Sequence, residues 1–89
     1  MKIKYTTQFK KDFKKIKKQN KDISKFQTVL EILTHQSPMP AKYKDHALIG
    51  NWSNHRECHV EPDWLLIYRV TDSTLYLERM GSHSQLFKR

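Results

Sequence analysis

The sequence predicts an α+β domain in which two N-terminal helices pack on one face of an antiparallel sheet of about four strands. Three observations lead to this prediction: two amphipathic helical patterns follow a short first strand, strand patterns fill the second half, and the connections between neighbouring elements are short. The order of elements is therefore β-α-α-β-β-β. The 89 residues leave room for one domain, residues 1–89, with one modest core.

The first half of the chain contains the short strand and both helices. Met1–Tyr5 alternates apolar and lysine side chains, as a strand does. Thr6 or Thr7 can cap a first helix, in which an apolar stripe runs along a lysine-rich cylinder. A second helix starts near Asp22 or Ser24, carries a wider apolar stripe and ends before a pair of prolines. We expect the two helices to form a hairpin that lies on an apolar surface.

The second half supplies that surface through three strand candidates, which follow a connecting segment at 41–54. The candidates are Arg56–Val60, Leu65–Thr71 and Leu75–Met80. A turn at 62–63 separates the first two, and a tight hairpin at 71–74 joins the second and third. The middle candidate is apolar on both faces except at Arg69, which is typical of a central strand.

The charge of the chain indicates a polyanionic partner. A net charge of +8 and a pI near 9.8 are high for so small a domain, and nucleic acid is the commonest polyanion in a cytoplasm. Residues 1–25 hold ten lysines, whereas all four arginines lie in the second half. Lysine suits diffuse attraction to a phosphate backbone, and arginine suits a bidentate grip on one phosphate. This division predicts one surface that attracts the polyanion and a separate site that holds individual phosphates.

Several classes of protein are excluded by the composition. The single cysteine, Cys58, cannot form an internal disulfide, and the chain lacks the run of about 18 apolar residues that spans a membrane. The N-terminus lacks the apolar core of a signal peptide, so we expect a cytoplasmic protein with no membrane partner. No CxxC spacing is present, and we expect no metal and no other cofactor.

The second half also holds most of the groups that can transfer protons. Four of the five histidines lie there: His46, His55, His59 and His83. Cleavage of RNA without a metal needs a base for the 2′-hydroxyl, an acid for the 5′-oxygen and a cation for the charged phosphorane. Histidines with arginines meet this need near neutral pH, and aromatic side chains can stack on unpaired bases.

The alternation of side chains along a strand indicates which of these groups lie on the same face of the sheet. Glu57 and His59 share one face of the first candidate strand, and Arg56 and Cys58 share the other. If Cys58 and Val60 face the helices, His59 points to the open face. Cysteine and histidine then diverge, which argues against a metal site built from that adjacent pair.

Each of these features also has a purely structural interpretation. Any one histidine could be structural, Trp64 beside Pro62 could pack the turn, and Glu57 and Glu61 could pair with lysines for solubility. The basic first helix could be a solvated face or a docking surface for an acidic partner. From the residues alone, a ribonuclease and a non-enzymatic RNA- or partner-binding module both remain open.

Three segments of the chain resemble the YafQ-type toxins of the RelE/ParE superfamily of bacterial toxin–antitoxin systems. The segments are residues 43–52 (YKDHALIGNW), 56–68 (RECHVEPDWLLIY) and 78–87 (ERMGSHSQLF). The resemblance implies a RelE-like fold and an mRNA interferase that enters the ribosomal A site and cuts translated mRNA. It also implies a cognate antitoxin, and binding of operator DNA by toxin and antitoxin together.

Functional residues of the family fall on matching positions of this sequence. Those expected to be catalytic are His46, His59, Asp63 and His83. Those expected to bind substrate are Lys44, Trp64, Arg79 and Phe87, with Trp64 or Phe87 as a stacking platform for a base.

The resemblance suggests how these residues divide the reaction. His59 or Asp63 would help to deprotonate the 2′-hydroxyl, and His83 would be the acid for the leaving 5′-oxygen. His46 and Arg79 would hold the scissile phosphate. A ParE-like toxin that inhibits DNA gyrase without cutting RNA is the alternative on the same scaffold, since fold does not decide function. The histidine and aspartate set argues against it, because a gyrase inhibitor needs no acid–base groups.

Overall fold

Two helices cover one face of a five-stranded sheet in the computed structural model, which describes residues 1–87. The elements in chain order are β1 (Lys2–Tyr5), α1 (Thr7–Lys18), α2 (Ile23–Thr34), β2 (His46–Ala47), β3 (Arg56–Glu61), β4 (Trp64–Thr71), β5 (Thr74–Gly81) and α3 (His83–Leu86). Two short 3₁₀ turns, Ala41–Tyr43 and Gly50–Trp52, flank β2. The strand order is β1-β5-β4-β3-β2, and the predicted α+β class is confirmed.

The sheet differs from the prediction in two respects. A fifth strand, β2, lies inside the segment predicted as a connection and pairs antiparallel with β3. The first strand pairs with β5 in parallel, with Ile3 opposite Leu75, so the sheet is mixed. A strand of two residues is too short to show alternation, and alternation is the same in parallel and antiparallel ladders. Neither feature could therefore be detected from the sequence pattern.

Local signals place the helix starts and the last hairpin. The Thr6 hydroxyl accepts a hydrogen bond from the Phe9 amide at 2.9 Å and caps α1, as predicted. Of the two candidates for α2, Asp22 is the cap and accepts from the Ser24 amide at 3.0 Å. The β4–β5 turn has positive φ at Asp72 and Ser73, as a two-residue type I′ hairpin requires.

The main core lies between the helices and the sheet. It is formed by Phe9, Ile16, Phe26, Val29, Cys58, Val60, Trp64, Leu66, Tyr68, Leu75, Leu77 and Met80. A smaller apolar cluster of Leu65, Ile67 and Leu86 lies on the opposite, open face, where α3 packs. Residues Trp64–Tyr68 of β4 are therefore buried on both faces, as predicted for a central strand, whereas Val70 and Thr71 at its end are exposed. Within residues 1–87, no helix is long and apolar enough to cross a membrane.

One buried ion pair joins α1 to β5. The Asp12 side chain is 5% exposed, and its Oδ2 accepts from Arg79 Nε at 2.8 Å and from the Met80 amide at 3.0 Å. A carboxylate buried in this way is stable only while its hydrogen-bond donors remain in place. The pair therefore fixes how α1 lies against the end of β5.

We expect Asp12→Ala to lower the free energy of unfolding by about 2–3 kcal/mol, because the substitution removes one partner of a buried ion pair. The loss is smaller than for a fully buried pair, because the Arg79 side chain is 25% exposed and can be hydrated. Urea unfolding followed by circular dichroism measures the change. Lys11→Ala, at an exposed position on the same helix, is the control and should change the value by less than about 0.5 kcal/mol. Equal losses in the two variants would contradict a stabilising role for the pair.

Candidate active site

Three of the predicted histidines meet on the open face of the sheet. His46 lies on β2, His59 on β3, and His83 is the first residue of α3. The ring centroids of His46 and His59 are 6.4 Å apart, and those of His59 and His83 are 5.6 Å apart. The β2–β3 pairing places His46 opposite Glu57, two residues from His59 on the same side of β3. The three rings therefore form one row.

A buried carboxylate lies between two of these rings. Glu57 Oε1 is 3.5 Å from His46 Nε2 and 3.3 Å from His59 Nε2, and the Glu57 side chain is only 6% exposed. An ionised carboxylate can only accept, so a ring nitrogen that bonds to Glu57 must carry a proton. Glu57 was interpreted from the sequence as a solubility partner for lysine. That Glu57 and His59 share one face of β3 was the signal that Glu57 would contact the histidines.

Hydrogen bonds on the other side of the ring orient His46. Its Nδ1 lies 2.8 Å from the Lys44 carbonyl oxygen, and because that oxygen only accepts, Nδ1 carries the proton. Lys44 has φ 50° and ψ 41°, a left-handed conformation that is unfavourable for a residue with a Cβ. Neighbouring contacts must hold this turn in place.

The carboxylate of Asp45 makes those contacts. It accepts from Arg56 Nε at 2.7 Å and from the Tyr68 hydroxyl, and so ties the turn before His46 to β3 and β4. Burial, followed by the hydrogen bond to Asp45, raises the pKa of Tyr68, so its hydroxyl remains a donor throughout the neutral range. Asp45 thus positions the backbone that carries His46.

The third histidine is held by the aspartate of the β3–β4 turn. Asp63 Oδ1 accepts from His83 Nδ1 at 2.6 Å and from the His83 amide at 2.9 Å. The hydrogen bond from the His83 amide, and then that from its ring, lower the pKa of Asp63. The carboxylate is therefore ionised at neutral pH, and its bond to His83 is lost only as the pH falls through that lowered pKa. The second ring nitrogen, Nε2, is left for chemistry.

A cleft opens beside the row of histidines. It has a volume of about 630 Å³ and lies between α2, the 3₁₀ turn at 41–43 and the end of β3. His59 and His83 form part of its wall, together with Lys44, the predicted substrate-binding lysine. The structure thus brings together four predicted catalytic residues and one predicted binding residue, and adds Glu57.

The structure buries Trp64, contrary to the prediction that a base stacks on it. Trp64 is the first residue of β4 and is fully buried in the core between helices and sheet. Side chains alternate along a strand, so Leu65, and not Trp64, lies on the open face with the histidines. The proposed stacking on Trp64 is therefore wrong for this fold.

Two further predicted residues lie in other surroundings. The Arg79 guanidinium is bound to Asp12 and lines a second cavity with Gln8 and Lys15, so it is not among the residues of the histidine row. Phe87 is half-buried and packs against the apolar cluster under α3. Phe87 therefore supports the helix that carries His83 and retains a partly exposed edge.

The titratable groups that meet on this face are imidazoles and carboxylates. Within the part of the chain that the structure describes, no group of three or more histidine, cysteine or acidic side chains is arranged to hold a metal ion. Cys58 faces the core, where burial raises the pKa of its thiol to about 12. As the alternation predicted, Cys58 and His59 point to opposite faces of the sheet.

The chain that carries this site matches a known protein family. The family model described as a bacterial toxin of the type II toxin–antitoxin system, YafQ, matches residues 1–88. The mRNA interferase toxin YafQ of Escherichia coli K12 is 46% identical over 86 residues, covering 96% of this chain and 94% of that protein. Two solved structures are also close matches.

The crystal structure of YafQ from E. coli BL21(DE3) superposes with a TM-score of 0.92 at 45% identity, and the match covers 96% of each chain. A chain of the E. coli DinJ–YafQ complex superposes with a TM-score of 0.88 at 46% identity, again over 96% of each chain. The chain therefore belongs to the YafQ family of toxins from bacterial type II toxin–antitoxin systems.

Proposed function

We propose that this toxin is an mRNA interferase, an endoribonuclease that cuts translated mRNA in the ribosomal A site by acid–base chemistry without a metal. The observation that carries the proposal is the row of three histidines, each with a carboxylate beside its ring. Its members are His46, Glu57, His59, Asp63 and His83. The activity named for the E. coli relatives agrees with what such a row can do.

His83 is the acid of the proposed reaction. Its Nδ1–H is bound to Asp63, which fixes the ring and stabilises its protonated form, as a carboxylate does beside a catalytic histidine. Nε2 then delivers its proton to the 5′-oxygen as the P–O5′ bond breaks. Asp63 is assigned the role of orienting His83, since its Oδ1 accepts hydrogen bonds from both the amide and the ring of that residue.

His59 is the base. With Nε2 directed towards Glu57 at 3.3 Å, the ring takes the proton of the 2′-hydroxyl at Nδ1, and the buried carboxylate stabilises the resulting cation. The 2′-oxygen attacks phosphorus, which leaves a 2′,3′-cyclic phosphate on one fragment and a 5′-hydroxyl on the other. His46, whose ring centroid lies 6.4 Å from that of His59, would hold the scissile phosphate.

Docking on the ribosome is proposed for the lysines of α1. These are Lys10, Lys11, Lys14, Lys15, Lys17 and Lys18, all exposed. Within residues 1–87, none of the six forms an ion pair, since the one lysine that does so is Lys25 with Glu61. A helix with this much unneutralised charge suits the phosphate backbone of ribosomal RNA and leaves the opposite face of the sheet for cleavage.

We further propose a protein partner and a cellular location. YafQ of E. coli has been crystallised with DinJ, and we expect this toxin to bind its own cognate antitoxin and, as that complex, its operator DNA. A substrate on translating ribosomes places the toxin in the cytoplasm, where the antitoxin must also act.

Primer extension after induced expression tests the proposed function. We expect defined cuts within the codons of a translated reporter mRNA, and none when the start codon of that reporter is removed. DNA damage with intact mRNA would instead support a gyrase-directed toxin. RNA binding without cuts would support a binding module.

His83→Ala should reduce the cleavage rate at least about 100-fold, because a general acid typically contributes two to four orders of magnitude. The fold and antitoxin binding should remain, as measured by circular dichroism and co-purification. His35→Ala changes an exposed histidine at the end of α2 and should cleave normally. A folded His83→Ala toxin with a normal rate would exclude His83 as the acid.

Asp63→Asn should lower kcat about 10- to 100-fold without a comparable change in KM, because it removes the charge that stabilises protonated His83. The ratio of wild-type to variant kcat should fall towards one at acid pH, as wild-type Asp63 takes up a proton. Because the pKa of Asp63 is lowered, this fall should come below the ordinary range of a carboxyl group. Asp72→Asn, in the exposed β4–β5 turn, is the matched control. A ratio of one at neutral pH would contradict this role.

A further inference from the structure

The cleft beside the histidines contains positive charge that the proposed reaction does not fully use. Its volume of about 630 Å³ lies within the range of about 300–1,000 Å³ that is typical of ligand pockets. Three lysines contribute to its wall: Lys25 from α2, and Lys42 and Lys44 from the segment before β2. His59 and His83 belong to the same wall, so the cleft is continuous with the place where RNA would be cut.

The charges of the cleft are unevenly compensated. Glu61, the one carboxylate among the lining residues, lies 2.7 Å from Lys25 Nζ and neutralises that lysine. Lys42 and Lys44 take part in none of the ion pairs formed within residues 1–87, and Lys42 Nζ lies 5.0 Å from the centre of the Tyr43 ring. The two lysines therefore give this part of the cleft a net positive charge that is open to an anion.

The backbone at Lys44 is held in a fixed position beside the histidines. The Lys44 carbonyl binds the His46 ring, and the Asp45 carboxylate holds the same turn to Arg56 and Tyr68. The Lys44 side chain therefore starts from a point that is fixed relative to the histidines. An anion bound by Lys44 is thus placed in a defined position relative to the reacting groups.

The remaining surroundings of the histidine row are unsuited to a phosphate. On the sheet side lies the carboxylate of Glu57, and under α3 lies the apolar cluster of Leu65, Ile67 and Leu86. If an RNA phosphate is held near His59 and His83, the phosphate of the next nucleotide follows it along the RNA chain. The cleft offers that neighbour both room and positive charge.

We propose that the cleft is a binding site for the RNA phosphate adjacent to the scissile one, with Lys42 and Lys44 as its ligands. The inference rests on the proposed function, because it takes the histidine row as the place of cleavage. It assigns the grip on the substrate to the toxin itself, in addition to any alignment by the ribosome. The ligand is a phosphodiester of single-stranded RNA, and Lys25 with Glu61 forms the neutral rim of the site.

Binding of a short single-stranded RNA to the isolated toxin tests the site without depending on cleavage. The probe carries a 2′-O-methyl group at every ribose, so it cannot be cut, and fluorescence anisotropy measures Kd over a range of salt. Lys42→Gln with Lys44→Gln should raise Kd about 10-fold and reduce the salt slope by about one. Lys25→Gln, which removes a lysine already paired with Glu61, should have a much smaller effect and serves as control.

A neutral linkage in the RNA identifies the contact. Replacing one phosphate by a methylphosphonate on either side of a defined cleavage site should slow ribosome-dependent cleavage by wild-type toxin about 10-fold at one of the two positions. The Lys42→Gln, Lys44→Gln toxin should lose no more, since its contact is already absent. Lys2→Gln with Lys4→Gln, at exposed positions of β1 outside both the cleft and α1, should retain the full effect of the neutral linkage.

Two results would overturn the proposal. One is an unchanged RNA affinity in the Lys42→Gln, Lys44→Gln variant; the other is a neutral linkage that slows this variant as much as it slows the wild-type toxin at both flanking positions. Failure of the wild-type toxin to cut any RNA would instead count against the proposed function, while the binding experiment would still decide the phosphate site.

Discussion

The buried carboxylate of Glu57 is the constraint around which the open face of the sheet is organised. A carboxylate with 6% of its side chain exposed needs donors on every accessible side, and the nearest are rings from two different strands. His46 and His59 both lie within 3.5 Å of this carboxylate and are its nearest polar neighbours. Removing either ring leaves a desolvated carboxylate with one polar neighbour fewer, so the histidine row and the local stability depend on the same residues.

The site could be predicted from sequence only to the extent that its geometry is local. Alternation along β3 predicted that His59 would lie on the open face, and the turn at 62–63 was recognisable from Pro62 and Asp63. The joining of His46 to Glu57 depends on a strand pair of two residues. No local pattern predicts such a long-range register, so the membership of His46 in the row came from family resemblance alone.

The residues placed elsewhere by the structure show the same limit. Trp64 was predicted at the surface, but β4 begins one residue earlier than expected, and its alternation turns the indole into the core. Arg79 was predicted at the phosphate, but it is bound to Asp12 of α1, a carboxylate distant in the sequence. Both outcomes depend on partners across the fold, whereas the helices, the caps and the final hairpin depend on neighbours in the chain.

The parallel pairing of β1 with β5 also has a consequence for folding. The first strand cannot complete its ladder until the last one is in place, so closure of the sheet depends on contacts of high sequence separation, which slow folding. His83 follows β5 directly, at the start of α3. Closure of the sheet and placement of His83 are thus nearly the same event, and partly folded chains have an incomplete histidine row. The topology itself delays assembly of the row until folding is almost complete.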